Sequence, residues 1–201
     1  MTHKLRGRTF AALAATVAVA LSLSACATAA QDSATATAAP AEGGDLTFAI
    51  QNDPISLNPS GIGSGNDTLY VTRQLVDSLL HQDPETGDLE PWLASSFEAN
   101  SDATRFTFTL RDDVTFSDGT KLTAADVKAT FDDIVAAGAL SQAVTYFVGY
   151  QETRAIDDTT VEVDFSAPNA AFPNSTASVA LGIVKASSLS VPFEERATGA
   201  G

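Results

Sequence analysis

RFTFTLRDDVTFSDGTKLTAADVKATFDDI (Arg105–Ile134) contains a strand, a turn and a capped helix, in that order. Phe106, Phe108 and Leu110 alternate with Thr107, Thr109 and Arg111, the period of two that marks a half-buried strand. Ser117-Asp118-Gly119 carries turn chemistry: the Asp side chain bonds nearby backbone and Gly accepts positive φ. Thr123-Ala-Ala-Asp126 opens a helix, with Thr123 as N-cap and the Asp126 carboxylate near the positive end of the helix dipole. This is a capping box with Asp in the place that Glu or Gln usually fills. Val127, Phe131, Ile134 and Val135 repeat at helical spacing, and Gly138 stands where the chain must turn out of the helix. By itself the pattern fits any strand-turn-helix unit of an α/β domain.

Working upstream, Leu46, Phe48 and Ile50 alternate with polar or small residues and predict a first strand. Asn52–Asp67 is rich in Asn, Asp, Pro, Gly and Ser and predicts a long loop, of the kind that often carries function. Asp67 or Thr68 would cap the next helix, predicted over Thr68–Leu80 with Leu69, Thr72, Leu75, Val76, Leu79 and Leu80 as its apolar stripe. Asp83–Asp88 predicts a turn between two short strands. Trp92 beside that hairpin is assigned to the core, and His81, next to the turn, to the surface. Downstream, Ser95–Asn100 and Arg105–Arg111 predict more sheet. Ser141–Tyr150 predicts a short helix or loop, with Tyr146 and Tyr150 assigned to the core. Glu152–Ile156 and Thr160–Phe165 predict a hairpin about Asp157-Asp158, with Val161, Val163 and Phe165 inward. Val179–Val184 reads as a strand-like apolar run.

Three stretches resemble the family 5 extracellular solute-binding proteins, which serve ABC transporters for peptides, nickel and related solutes. They are FTLRDDVTFSDGTKLTAADVKATFDDI, LVDSLLHQDPETGDLEPWLASSFE (Leu75–Glu98) and LTFAIQNDPISLNPS (Leu46–Ser60). The hairpin around Asp157-Asp158 is similar to the same family. The resemblance runs from about Gly44 to the end of the chain. It implies an α/β fold: a periplasmic-binding-protein-like lobe (type II, cluster C-like), incomplete, with a mixed sheet and flanking helices. Family members are longer, two-lobed clamps. Residues 44–201 are therefore expected to be the N-terminal part of such a domain, its first lobe with an extra subdomain, from a fragment or a truncated product. In the family the chain just after the first strand enters the cleft, which makes Asn66, Asp67 and Tyr70 the candidate ligand contacts. The resemblance further implies a peptide or related small solute as ligand, with an acidic partner such as Asp67 for its amine. ABC permease subunits are the implied partners, and a monomer the implied state.

Lys4, Arg6 and Arg8 precede an apolar run from Phe10 to Leu23, and Leu23-Ser-Ala-Cys26 resembles a lipobox. Residues 1–25 are accordingly expected to be a lipoprotein signal peptide. Cys26 would be the lipidated N-terminus, and residues 26–43, poor in large apolar groups, a flexible tether. The protein is thus expected on the extracytoplasmic face of the cell membrane, held there by the lipid.

The net charge is −14, and three of the eleven basic residues lie in the signal. Without residues 1–25 the balance is 8 basic against 25 acidic. That surface excludes nucleic acid, because phosphate binding needs clustered Lys and Arg. One cysteine precludes an internal disulfide and a cysteine-built zinc or iron–sulfur site. No metal or other cofactor is expected. A nucleophilic triad would have to use His81, and no G-x-S-x-G elbow surrounds a serine. Gly61-x-Gly63-x-Gly65 lacks the following helix-entry Gly and lies in a polar loop, a poor match to a dinucleotide site. Asp112-Asp113 and Asp132-Asp133 are sequence neighbours whose side chains diverge, unlike a glycosidase couple. The rivals to solute capture are a lipid-anchored adhesive or interaction domain, an inactive fragment, and a secreted hydrolase. The last lacks the residues for it.

Overall fold

The computed structural model describes residues 43–61 and 66–197. Contacts divide the chain into two units, residues 1–48 and 49–201. In the first, residues 43–48 take no helix or strand, and Leu46 and Phe48 are exposed. The strand expected over Leu46–Gln51 is therefore not formed. Alternation specifies which side chains share a face, but a strand is held in place only by a neighbour's backbone groups. Cys26, the signal peptide and the tether lie outside the described residues.

In the second unit, helix α1 (Asn66–Thr72) is followed by a hairpin of β1 (Leu80–Gln82) and β2 (Leu89–Pro91). A four-stranded sheet comes next, of β3 (Ala94–Ala99), β4 (Arg105–Leu110), β5 (Tyr150–Ala155) and β6 (Thr160–Phe165) in the order β3-β4-β6-β5. Every strand pairing among the described residues is antiparallel. Helix α2 (Ala124–Ala137) covers one face of the sheet, and the short helices α3 (Phe172–Ser175) and α4 (Phe193–Ala197) follow.

The sheet forms as its alternation demands. Phe106, Phe108, Leu110, Val161, Val163 and Phe165 face inward and are buried. The outward positions of the same strands hold charge. Arg105 Nε donates to Asp164 Oδ1 at 2.6 Å, and Arg154 Nη2 donates to Glu162 and Asp164, both at 2.7 Å. The hairpin turn is closed by Asp157, whose Oδ1 accepts from the backbone N–H of Thr159 and Thr160, each at 2.8 Å. Those bonds to the ionised form hold the Asp157 carboxyl below its ordinary range. The turn at Ser117–Gly119 forms likewise, with Asp118 Oδ1 accepting from Thr120 N at 2.9 Å and Gly119 at φ 82°.

Helix α2 is capped as expected, through the Asp in the box. Asp126 Oδ2 accepts from Thr123 N at 3.0 Å and from Thr123 Oγ1 at 2.8 Å. Gly138 ends the helix at φ 53°, its N–H donating to the Val135 carbonyl. Val127, Phe131 and Ile134 are buried against the sheet. The buried apolar cluster runs in sequence from Leu79 to Ile183, and Phe172 sits in its middle.

Three expectations fail for tertiary reasons. The helix predicted over Thr68–Leu80 ends at Thr72, and Leu75 is exposed. Leu79 and Leu80 are both fully buried in the one apolar cluster where the chain enters the hairpin. The strand-like run at Val179–Val184 is instead a 3₁₀ turn over Val179–Leu181, with Ser178 Oγ accepting from Ala180 N. Only Ile183 makes a bridge, its N–H donating to the Asp77 carbonyl at 2.8 Å. Trp92 is 46% exposed rather than core. The inward places beside it belong to Leu93 and Ala94, and the indole N–H needs a polar partner, found in Asp77 Oδ1 at 2.9 Å. Its ring lies 5.4 Å from that of His81, which is exposed on β1 as expected. Ser141–Tyr150 is a 3₁₀ helix over Gln142–Phe147, and Tyr146 and Tyr150 pack against the core. Burial raises the Tyr150 phenol well above its ordinary pKa.

Candidate functional site

The long loop predicted before α1 is organised by the helix that follows it. Asp67, in the first turn of α1, accepts from Gln51 N at 3.3 Å through Oδ1 and from Asn52 Nδ2 at 2.9 Å through Oδ2. Thr68 Oγ1, itself buried, accepts from Ile55 N at 3.3 Å. The helix begins at Asn66, so neither residue takes the capping place expected of it, and both side chains bind the preceding loop instead. Within the loop, Ser56 Oγ accepts from Asn58 N, and Asn58 Oδ1 accepts from Ser60 N and Ser60 Oγ. Proline and Asn/Ser side chains thus replace a backbone ladder. Asn66 opens α1, and Asp67 and Tyr70 are one turn apart on it, so they share a face. Tyr70 is 52% exposed.

Residues 57–60 of this loop also form one wall of a cavity of about 320 Å³. A second wall is α2, through Thr130, Asp133 and Ile134; Gly182 and residues of the 184–196 segment, among them Leu189, Val191 and Arg196, complete it. Asp67 and Tyr70 are not among its walls. The 184–196 segment is fixed along α2 at successive turns of the helix. Ala186 N donates to Asp126 Oδ1 at 2.9 Å, Val184 N donates to Thr130 Oγ1 at 3.3 Å, and Arg196 Nη2 donates to Asp133 Oδ1 at 2.6 Å. Further anchors are the Lys185–Asp118 ion pair, Arg196 Nε to the Val191 carbonyl at 2.8 Å, and Ser56 Oγ to the Arg196 carbonyl at 2.9 Å. The hydrogen bond from Lys185, with those from Thr120, holds the Asp118 carboxyl well below the usual carboxylate range.

Reading the sequence residue by residue did not find this cavity. Asp126, Thr130 and Asp133 stand on one face of α2, but Arg196 lies far along the chain, and no local spacing pairs it with Asp133. Among the described residues no group of three or more His, Cys, Asp or Glu side chains is placed to hold a metal ion. Nor is any described helix long and apolar enough to cross a membrane.

A model of the bacterial extracellular solute-binding proteins, family 5 (middle), matches residues 88–201. A glutathione-binding protein of Escherichia coli (strain K12) is 30% identical over 147 residues, which are 72% of this chain and 28% of that protein. The periplasmic murein peptide-binding protein of the same strain is 35% identical over 95 residues, 47% of this chain and 17% of its own length. The solved E. coli murein tripeptide-binding protein superposes with a TM-score of 0.63 at 27% identity, over 70% of this chain and 30% of that one. A PBP from A. tumefaciens R10 in complex with agropinic acid superposes with a TM-score of 0.63 at 29% identity, over 68% of this chain and 27% of that one. The chain thus spans well under a third of the length of these relatives.

Proposed function

Because this chain belongs to the bacterial extracellular solute-binding proteins, family 5, we propose that it captures a peptide, or a related small solute, outside the cytoplasm for delivery to an ABC permease. The observation that carries this reading is the family match over residues 88–201. It is supported by relatives whose names specify glutathione and murein peptide as ligands. The capture surface includes the loop before α1, with Asn66, Asp67 and Tyr70 as contacts. Asp67 offers a carboxylate for the ligand's amine, and Tyr70 an exposed ring one helical turn away. The mature protein is a monomer anchored to the membrane by lipid on Cys26.

Calorimetric titration of the complete protein with short peptides tests the ligand assignment. Asp67→Asn keeps one acceptor oxygen, enough for Gln51 N, replaces the oxygen that accepts from Asn52 by an amide NH2, and removes the charge. It is expected to weaken a peptide with a free amine at least tenfold, and to leave the N-acetylated peptide unchanged. Equal affinity of wild type and Asp67→Asn for the free-amine peptide would remove Asp67 from the site. The anchor is tested separately: Cys26→Ala is expected to move the protein from the membrane to the soluble fraction, and recovery with the membranes would refute it.

A further inference from the structure

We infer that the cavity between α2 and the 184–196 segment is a second site, which binds a free α-amino acid with an apolar side chain. Two opposite charges, Asp133 and Arg196, stand in its wall. Asp133 Oδ1 and Arg196 Nη2 are 2.6 Å apart, and the two side chains are only 22% and 17% exposed. A largely buried ion pair repays its desolvation only when the remaining lone pairs and protons also find partners. Among the described residues no hydrogen bond reaches Asp133 Oδ2 or Arg196 Nη1, and neither atom is buried, so both are open to a ligand in the accessible space. The guanidinium is otherwise well fixed, with Nε on the Val191 carbonyl and its carbon 5.2 Å from the Phe193 ring centroid.

The pair therefore presents an acceptor and a donor of opposite charge, side by side. An α-amino acid presents the complement, an ammonium and a carboxylate on one carbon. Its carboxylate fits Arg196 Nη1 while its ammonium fits Asp133 Oδ2, and the neutral zwitterion brings no net charge into the cavity. A peptide fails this match. Its two charged ends are separated by at least one peptide unit, across which the Cα atoms alone are about 3.8 Å apart. Only one end of a peptide can meet the pair.

The rest of the wall sets the side chain. Leu57, Ile134, Val184, Leu189 and Val191 are apolar. The buried hydroxyls are already committed, Thr130 Oγ1 to the Asp126 carbonyl at 2.9 Å and Ser60 Oγ to Asn58 Oδ1 at 2.9 Å. Apart from Asn58, Ser188 and the charged pair, the remaining wall is mainly apolar, so the site favours leucine-like groups. The volume of about 320 Å³ lies at the small end of ligand cavities, as a single amino acid requires.

The test titrates the full chain with L-leucine, followed by calorimetry and by amide chemical shifts along α2. Leucine is expected to bind, with leucinamide, N-acetylleucine and leucyl-leucine each at least tenfold weaker and glutamate not binding. Asp133→Asn and Arg196→Gln are each expected to weaken leucine at least tenfold. Because either change also removes an anchor of the 184–196 segment, Val191→Phe provides a second arm. It fills the hollow and leaves both charges in place, and it is expected to abolish leucine binding while the circular dichroism spectrum and Tm stay those of wild type. No leucine binding at millimolar concentration overturns the inference, as does leucyl-leucine binding as tightly as leucine, or undiminished binding in Val191→Phe.

Discussion

Gly182→Ala is expected to destabilise the protein by about 1–3 kcal/mol through overpacking, although its backbone would tolerate any residue. Gly182 has φ −58° and ψ 135°, ordinary extended values that impose no need for glycine. The obstacle is space. A Cβ there would lie 2.3 Å from Val76 Cγ2, 3.0 Å from Val76 Cβ and 2.9 Å from the Val179 carbonyl oxygen. Val76 is β-branched and stiff at χ1, so it cannot swing aside freely. The carbonyl is part of the 3₁₀ turn and accepts from Gly182 N itself at 2.9 Å. One residue on each side, Asp77 and Ile183 form the bridge that joins the chain entering the apolar cluster to the chain leaving it. Enlarging Gly182 pushes these two passages apart. Thermal denaturation followed by circular dichroism measures the loss. Val76→Ala in the same chain removes the closest clash and is expected to restore part of the stability, leaving the contact with Val179. Additive losses from the two changes would show that Gly182 and Val76 do not compete for the same space.

The sequence makes this neck hard to foresee. Val76 and Gly182 are more than a hundred positions apart, and each belongs to a run with a persuasive local pattern. Leu69 to Leu80 has helical periodicity and Val179 to Val184 has strand-like continuity, yet both patterns yield to the bridge between Asp77 and Ile183. Tertiary pairing outweighs the few tenths of a kcal/mol per residue by which propensities differ. Where element and tertiary demand agree, the pattern is legible. Thr123 and Asp126, Gly138, the turn at Asp118-Gly119 and the hairpin at Asp157-Asp158 all stand as their local chemistry requires. The Leu46–Ile50 alternation shows the remaining limit: it names the faces of a strand but supplies no neighbour.

The candidate sites divide in the same way. Asp67 was readable as a helix cap, but it lies within the first turn of α1 and its carboxylate instead accepts from Gln51 and Asn52, tying the loop to the helix. The Asp133–Arg196 pair was not readable, since Asp132-Asp133 looks in the sequence like a solvated acidic step on a helix. Folding separates that step. Asp132 accepts from Tyr150 Oη at 2.7 Å on the sheet side, and Asp133 takes Arg196 over the cavity. Adjacent carboxylates that diverge around a helix do different work, and only the partners brought by the fold say which.

Phe172→Ala is expected to have the largest effect of any single substitution, about 3–5 kcal/mol. Phe172 is fully buried at the start of the short helix α3. Its ring centroid lies 4.8 Å from Phe165, 5.5 Å from Phe106, 5.6 Å from Phe147, 6.2 Å from Phe131 and 6.4 Å from Phe108. Four of these contacts are edge-on, the arrangement that sets the positive rim of one ring against the negative face of another. Phe106, Phe108 and Phe165 come from the sheet, Phe131 from α2 and Phe147 from the 3₁₀ turn. One side chain therefore joins the sheet, α2 and the 3₁₀ turn. Its removal leaves a hollow whose walls are held by strand pairing and by α2, so they cannot collapse to fill it, and the full cavity cost is expressed. At about 2–4 °C per kcal/mol for a chain of this size, Tm is expected to fall by roughly 10 °C. Phe172→Leu, which keeps most of the apolar volume, is expected to cost clearly less. Equal losses for Ala and Leu would mean that ring geometry rather than volume holds the layers together. A loss below 1 kcal/mol in Phe172→Ala would show that the surrounding rings close over the gap, and that the core is less rigid than its strand pairings imply.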